Sequence, residues 1–207
     1  MDKNITSQTL SRLPVYFNYL ASLSDDRKKG NISATAIAEA LGLNDVQVRK
    51  DLASVSSGGR PKVGYITSEL MNDIGRVLGF ENHDGVVVAG MGNFGRAMLE
   101  YNGFEAYGFD ILCGFDCNRD RVGSTINGRP VRHIDELESF CAENDIHIGI
   151  ITVPGTAAQE VCDRMAKAGI RYILNFAAVH LNAPKGVAVH NENISLTLAM
   201  LARCGAN

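Results

Sequence analysis

Apolar residues follow two rhythms along the 207 positions, and the change falls near residue 80. Before it they recur three or four residues apart, the spacing of helices with one buried face. After it they come as short unbroken runs between helical stretches, the pattern of strands covered on both sides. In the first stretch Tyr16, Phe17, Leu20 and Leu23 predict an opening helix, with Pro14 marking its first turn or a kink. The polar run Ser24–Asn31 predicts a loop. Ser33 then reads as an N-cap, with Ile37, Ala40 and Leu41 on the apolar face and Gly42 ending the helix. Asn44, followed three residues later by Gln47, opens another helix in a capping-box pattern. On that helix Val48, Leu52 and Val55 form a core face, and Gln47, Arg49, Lys50 and Ser54 are left to solvent.

Two capped helices joined at Gly42 predict a helix-turn-helix whose second helix enters the major groove of DNA. Ser56-Ser57-Gly58-Gly59 makes a turn, and Arg60 to Ile66 reads as a short basic ribbon, a wing. Arg60 and Lys62 would neutralise phosphates, while Tyr65 would pack beneath the wing or touch the backbone of the duplex. Ser68 to Leu78 closes this part as a last helix. Its charge is only mildly basic: residues 1–80 hold ten Lys and Arg against eight Asp and Glu, whereas residues 81–207 hold ten against fifteen. Asp45 and Asp51 weaken the basic patch. The asymmetry predicts two parts with different partners.

In the second part Val86-Val87-Val88-Ala89 runs into Gly90-Met91-Gly92-Asn93-Phe94-Gly95, and Ile111 to Phe115 leads into Asp116, 21 residues past Gly95. Glycines at this spacing let the backbone approach a pyrophosphate at a helix N-terminus, and an acid about 20 residues on accepts from a ribose. Such an acid repels a 2′-phosphate and favours NAD over NADP, a preference that Arg119 and Arg121 soften. Further on, Asp135 to Asn144 reads as a helix and Ile146 to Thr152 as a buried strand. Val153-Pro154-Gly155 follows at its carboxyl end, and Thr156 caps a helix running to Lys167. Arg171 to Asn175 is another strand, with Phe176 and Ala177 at the same ligand-facing edge. The predicted class is α/β: a winged helix-turn-helix over 1–80, a Rossmann-type doubly wound parallel sheet over 81–192 and a C-terminal helix over 193–207.

Chemistry beyond binding has little support. His180 is the only candidate acid or base near a nicotinamide, without an evident acidic partner, so a sensor is expected rather than an enzyme. Five scattered cysteines fit a reducing cytoplasm, with Cys113, Cys141 and Cys162 as small buried hydrophobes. No metal-ligand spacing, membrane span or secretory leader is expected.

Taken together the two parts resemble the Rex family of redox-sensing repressors. The matching motifs are Ser11-Arg12-Leu13-Pro14, Val48-Arg49-Lys50-Asp51-Leu52, Val63-Gly64-Tyr65, the Gly90–Gly95 turn, Gly114-Phe115-Asp116 and Asn175 to Leu181. The resemblance implies NAD(H) as effector and operator DNA as partner, with NADH releasing the DNA. It implies DNA contacts from Arg12, Gln47, Arg49, Lys50, Ser54, Arg60, Lys62 and Tyr65. The dinucleotide would lie against Gly90, Met91, Gly92, Asn93, Phe94, Gly95, Asp116, Thr152, Val153, Pro154, Phe176 and Ala177. Tyr101 and Asn193 would couple redox state to domain arrangement. The apolar Ile194, Leu196, Leu198, Met200 and Leu201 would insert as a swapped helix into a second copy, making a homodimer. The chain departs from the family pattern over residues 54–62, at Ala178, where proline is usual, and at Asn193, where aspartate is frequent. These departures point to an altered operator and an altered NADH response. A small NAD-dependent oxidoreductase and a nucleotide- or coenzyme-A-binding module with an interaction domain in front remain the alternatives.

Overall fold

A computed structural model describes residues 5–204. The chain divides between Asn82 and His83 into two compact units.

The first unit is helical. Helix α1 (Ser7–Ala21) starts at Thr6, whose side chain accepts from the Thr9 N–H at 3.1 Å. Pro14 therefore sits inside the helix rather than in its first turn. Its missing N–H is tolerated because Leu13, Tyr16 and Leu20, all fully buried, pin the helix on both sides of it. The expected loop after α1 contains a single helical turn, α2 (Asp25–Lys28), and then strand β1 (Asn31–Ile32). Helix α3 (Ala34–Leu41) is capped by Ser33 and ended by left-handed Gly42 (φ 64°). Helix α4 (Asp45–Val55) is capped by Asn44, which accepts from the Gln47 N–H at 3.1 Å. Strand β2 (Tyr65–Ile66) pairs antiparallel with β1, and α5 (Thr67–Leu78) follows. The core is made by Leu13, Tyr16, Ile37, Val48, Leu52, Leu70 and Ile74.

The second unit holds the sheet. Strands β3 (Asp84–Ala89), β4 (Phe109–Asp116), β5 (Thr125–Ile126), β6 (Arg129–His133), β7 (Ile148–Ile151), β8 (Tyr172–Asn175) and β9 (Ala188–Asn191) lie in the order β5-β6-β4-β3-β7-β8-β9. All pairs are parallel except the β5–β6 hairpin. Helices α6 (Asn93–Glu100), α7 (Leu137–Asn144) and α8 (Gly155–Lys167) cover it. Both faces of β3 are buried: Val87 and Ala89 pack in one layer with Cys113, Cys141 and Cys162, and Val86 and Val88 pack in the other with Leu99 and Ile111. Chain order reverses on either side of β3, so a crevice opens at the carboxyl ends of β3, β4 and β7. Pro154, not Thr156, stands at the start of α8, and Thr156 lies within its first turn.

Helix α9 (Ile194–Cys204) ends the described chain with its apolar side chains in solvent. Ile194, Leu196, Leu198, Met200 and Leu201 are 54% to 63% exposed.

Candidate functional site

The turn after β3 is shaped by two glycines. Gly90 has φ 101°, and a Cβ at Gly95 would run into the Gly90 carbonyl, so α6 can start only where residue 95 has no side chain. The Thr152 hydroxyl, at the end of β7, donates to the Gly90 carbonyl at 2.7 Å and the Ala89 carbonyl at 3.0 Å. It locks the turn against the neighbouring strand. Open space surrounds Gly92, and no side chain caps α6. Its first amides and positive dipole end therefore face the crevice ready for an anion.

Asp116 ends β4 with 7% of its surface exposed. One carboxylate oxygen accepts from the Met91 N–H at 2.7 Å and from Arg121 Nη1 at 2.9 Å, and the other accepts from the Asn118 N–H at 2.7 Å. Burial works to raise its pKa, but these donors outweigh it and hold the carboxyl below the usual carboxylate range. Three of about four lone-pair sites are in use, which leaves room for one hydroxyl donor. The sequence-based view of Met91 is corrected here: its amide is spent on Asp116 and its side chain is 1% exposed.

Two cavities open on this crevice. The larger, about 630 Å³, is lined by Gly90, Gly92, Asp116, Val153 and Pro154 together with Arg121 and a face of α8. The smaller, about 280 Å³, is lined by Phe94, Phe176, Ala178, Glu192 and Asn193. Thr152 lies in the walls of both. Phe94 and Phe176 meet edge to face at 4.8 Å. The loop carrying Phe176 and Ala177 is organised by fully buried Asn175. Its amide group donates to the Ala177 and Val179 carbonyls at 3.1 Å and to the Asn191 side chain at 2.8 Å. Asn93 opens α6 and is exposed; Gly95 is buried beneath the turn. His180 lines neither cavity. Tyr101 is 56% exposed with its ring against Phe104 at 5.2 Å, whereas Asn193 accepts from the Leu196 N–H at 2.9 Å at the start of α9. Tyr101 lies outside the cavity wall that holds Asn193.

In the first unit α3 and α4 form the helix-turn-helix, and the wing is a tight loop in which Arg60 and Gly64 exchange backbone hydrogen bonds at 2.9 Å. Arg49, Lys50, Arg60 and Lys62 are exposed. Arg49 is bridged to Asp45 at 2.7 Å. Three of the residues expected at the DNA have partners within the unit. Tyr65 is 7% exposed, and lies so close under Gly59 that a Cβ there would meet its ring at 2.7 Å; it is a core residue of the wing. The Ser54 hydroxyl turns back to donate to the Asp51 carbonyl at 2.6 Å. Gln47 donates its amide to Asp51 at 3.0 Å.

Asp51 is itself a correction, because it is no surface acid weakening the patch. It is 2% exposed and accepts from Thr9 (3.0 Å), Arg12 Nε and Nη2 (2.7 and 2.9 Å) and Tyr16 (2.8 Å) as well as Gln47. Burial alone would raise its pKa, but these five donations bring it down to about 2. Burial and the neighbouring carboxylate push the Tyr16 phenol up to about 12. The clasp ties α4 to α1, and Arg12 keeps 27% of its side chain in solvent.

Comparison with known proteins agrees with this two-part reading. Residues 4–53 match the family model "Putative DNA-binding protein N-terminus", and residues 81–179 match the model "CoA binding domain". A redox-sensing transcriptional repressor Rex from Streptomyces coelicolor is 39% identical over 97% of this chain and 77% of its own length. One from Carboxydothermus hydrogenoformans is 41% identical over 95% and 94%. The chain belongs to the Rex family of redox-sensing transcriptional repressors. Its relatives are named as repressors, not enzymes, which removes the oxidoreductase alternative. Among solved structures, the Rex-family repressor RSP in complex with β-NAD⁺ and operator DNA superimposes with TM-score 0.89 at 32% identity, over 97% of this chain and 92% of that one. The complex of RSP with β-NADH gives 0.85 at 31% identity, over 97% and 94%. Both architectures, winged helix and Rossmann-type sheet, are thus those of the family.

The sequence reading missed most of α8's contribution to the larger cavity. Ala157, Glu160, Val161 and Arg164 fall at positions i, i+3, i+4 and i+7, a readable helical face next to an expected ligand edge.

Proposed function

We propose that the protein is a repressor whose hold on operator DNA is set by NAD(H), NADH releasing it. The observation that carries this is Thr152. Its hydroxyl locks the glycine turn, and the residue stands in the walls of two cavities. A molecule with two unequal ends joined through a pyrophosphate spans such a site, with the anion over the open start of α6. Asp116 then offers its remaining lone pair to an adenosine ribose. Gly90, Gly92, Gly95, Val153 and Pro154 shape the larger cavity and the turn, and Phe94, Phe176 and Asn193 border the smaller one. When bound, the nicotinamide supplies the difference between oxidised and reduced states. The chain's part is to respond to that difference with a difference in affinity between arrangements.

On the DNA side Arg49, Lys50, Arg60 and Lys62 are the exposed cations available to phosphates and base edges, with Arg12 presented beside α4. The uncovered apolar face of α9 (Ile194–Cys204) supports a homodimer in which this helix packs on a second copy. Dimerisation would also set two recognition helices one turn of DNA apart. Among the described residues no helix is long and apolar enough to cross a membrane. The need to reach operator DNA and the NAD(H) pool supports a cytoplasmic location.

The test is operator binding, on a duplex selected from a random pool, titrated with NADH and with NAD⁺. NADH is expected to release the duplex at concentrations where NAD⁺ leaves it bound. Superimposable curves for the two would contradict the sensor.

A further inference from the structure

Val46 is an exposed apolar side chain on α4 that the fold does not explain. It is the second residue of that helix and keeps 57% of its surface in solvent. At about 100° per residue, Val46 and exposed Ala53 fall opposite the buried Val48, Asp51 and Leu52, on the face that points away from the core. A β-branched residue in an exposed first turn adds little to a helix. The polar neighbours of Val46 are occupied within the unit. Asn44 accepts from the Gln47 N–H at 3.1 Å, and Asp45 accepts from the Thr35 hydroxyl at 2.9 Å and from Arg49 at 2.7 Å. The Gln47 side-chain amide donates to Asp51 at 3.0 Å. Where the first turns of a recognition helix meet base edges, α4 therefore presents a hydrocarbon.

Chemistry decides what that hydrocarbon can meet. Against a phosphate, an isopropyl group displaces water and returns no hydrogen bond. In the major groove the base edges carry one aliphatic group, the 5-methyl of thymine, among hydrogen-bond donors and acceptors. Exposed Arg49 and Lys50 lie three and four residues further along α4 and flank the face of Val46 on either side. Cations so placed hold phosphates and fix the register, while an apolar contact between them distinguishes one base from another.

We propose that Val46 is a specificity-determining residue that packs on the 5-methyl group of a thymine in the major groove of the operator. This rests on the operator-binding reading above and adds to it which base the start of α4 selects. The test uses the duplex that the wild-type chain selects from a random pool. Each thymine is replaced in turn by deoxyuridine, which lacks only the 5-methyl group, and affinity is measured for the wild-type chain and for Val46→Ala. At one or more thymines the replacement is expected to weaken the wild type about three- to tenfold, the effect of one methyl-sized apolar contact. Val46→Ala should bind the unmodified duplex more weakly by a similar factor and lose its sensitivity to that replacement. Each chain is compared with itself on two duplexes, so a change in the variant's stability cancels.

A selected duplex without thymine, or a wild-type chain indifferent within twofold to every replacement, would overturn the assignment. So would a Val46→Ala chain with unchanged affinity, or one that keeps the full loss at the same thymine, because another residue would then be reading the methyl group. All of these outcomes leave operator binding and its release by NADH intact. A wild-type chain that selected no duplex would remove the operator reading itself and this assignment with it.

Discussion

Each unit of the molecule buries a carboxylate, Asp51 in the first and Asp116 in the second, and the donors that satisfy them differ in kind. Asp51 is closed in by side chains from two helices, Thr9, Arg12 and Tyr16 on α1 and Gln47 on its own helix. Asp116 is held by two backbone amides from its surrounding loops and by Arg121, whose side chain is 43% exposed. Side-chain donors drawn from separate elements make a clasp: remove the acid and several polar groups lose their partner together. Backbone donors at a strand end make a fixed acceptor with a vacant lone pair, beside a cavity of about 630 Å³. The same residue type thus serves cohesion in one unit and ligand binding in the other.

Breaking the clasp gives the largest expected effect. Asp51→Ala strands Arg12, Tyr16 and Gln47 around a lost anion and should lower stability by about 2–4 kcal/mol, read as a drop in the denaturant midpoint. A loss below about 0.5 kcal/mol would mean that the clasp is dispensable. On the other side of the comparison, Gly95→Ala puts a methyl into the Gly90 carbonyl and should abolish NADH binding by moving the turn. Asp116→Asn keeps the shape but turns an acceptor into a partial donor. It should weaken NADH by about ten- to a hundredfold with little loss of stability. Equal stability losses in Asp51→Ala and Asp116→Asn would erase the distinction between clasp and acceptor.

The clasp also carries a pH signature. The folded pKa of Asp51, about 2, lies below its ordinary 3.8. The stability it contributes is therefore fully present above pH about 4 and lost as pH falls from about 4 towards 2, roughly 2 kcal/mol in all. Urea midpoints followed across that window should fall in the wild type and be flatter in Asp51→Asn. The smallest effects belong to the DNA-facing surface. Lys50→Ala should reduce the slope of operator affinity against salt by about one, whereas Ser54→Ala, whose hydroxyl is turned back into its own helix, should change affinity less than twofold.

Local signals were legible in the sequence and long-range ones were not. Ser33, Gly42 and Asn44 act as the helix boundaries that their residue types announce, and the glycine turn with its acid appears where spacing put it. The Asn127–Gly128 pair, both at positive φ, marks the β5–β6 hairpin and was readable but unread. Asp51 looked like one more surface charge because three of its partners lie 35 to 42 residues away. Tyr65 left two roles open because only packing decides whether a wing tyrosine faces in or out. The ion pairs of Arg164 were hidden for the same reason as those of Asp51: Glu138 and Asp135 lie 26 and 29 residues upstream.

Linkage offers the most direct measurement of the coupling between the two units. If NADH loosens the grip on the operator, operator DNA must loosen the grip on NADH by the same factor. NADH affinity is therefore to be measured by titration calorimetry on the free protein and on the protein saturated with its selected operator duplex. The expected result is an NADH affinity at least fivefold weaker on DNA, with NAD⁺ changed much less. An NADH affinity identical on and off the operator would contradict a redox-controlled repressor, however tightly either ligand binds.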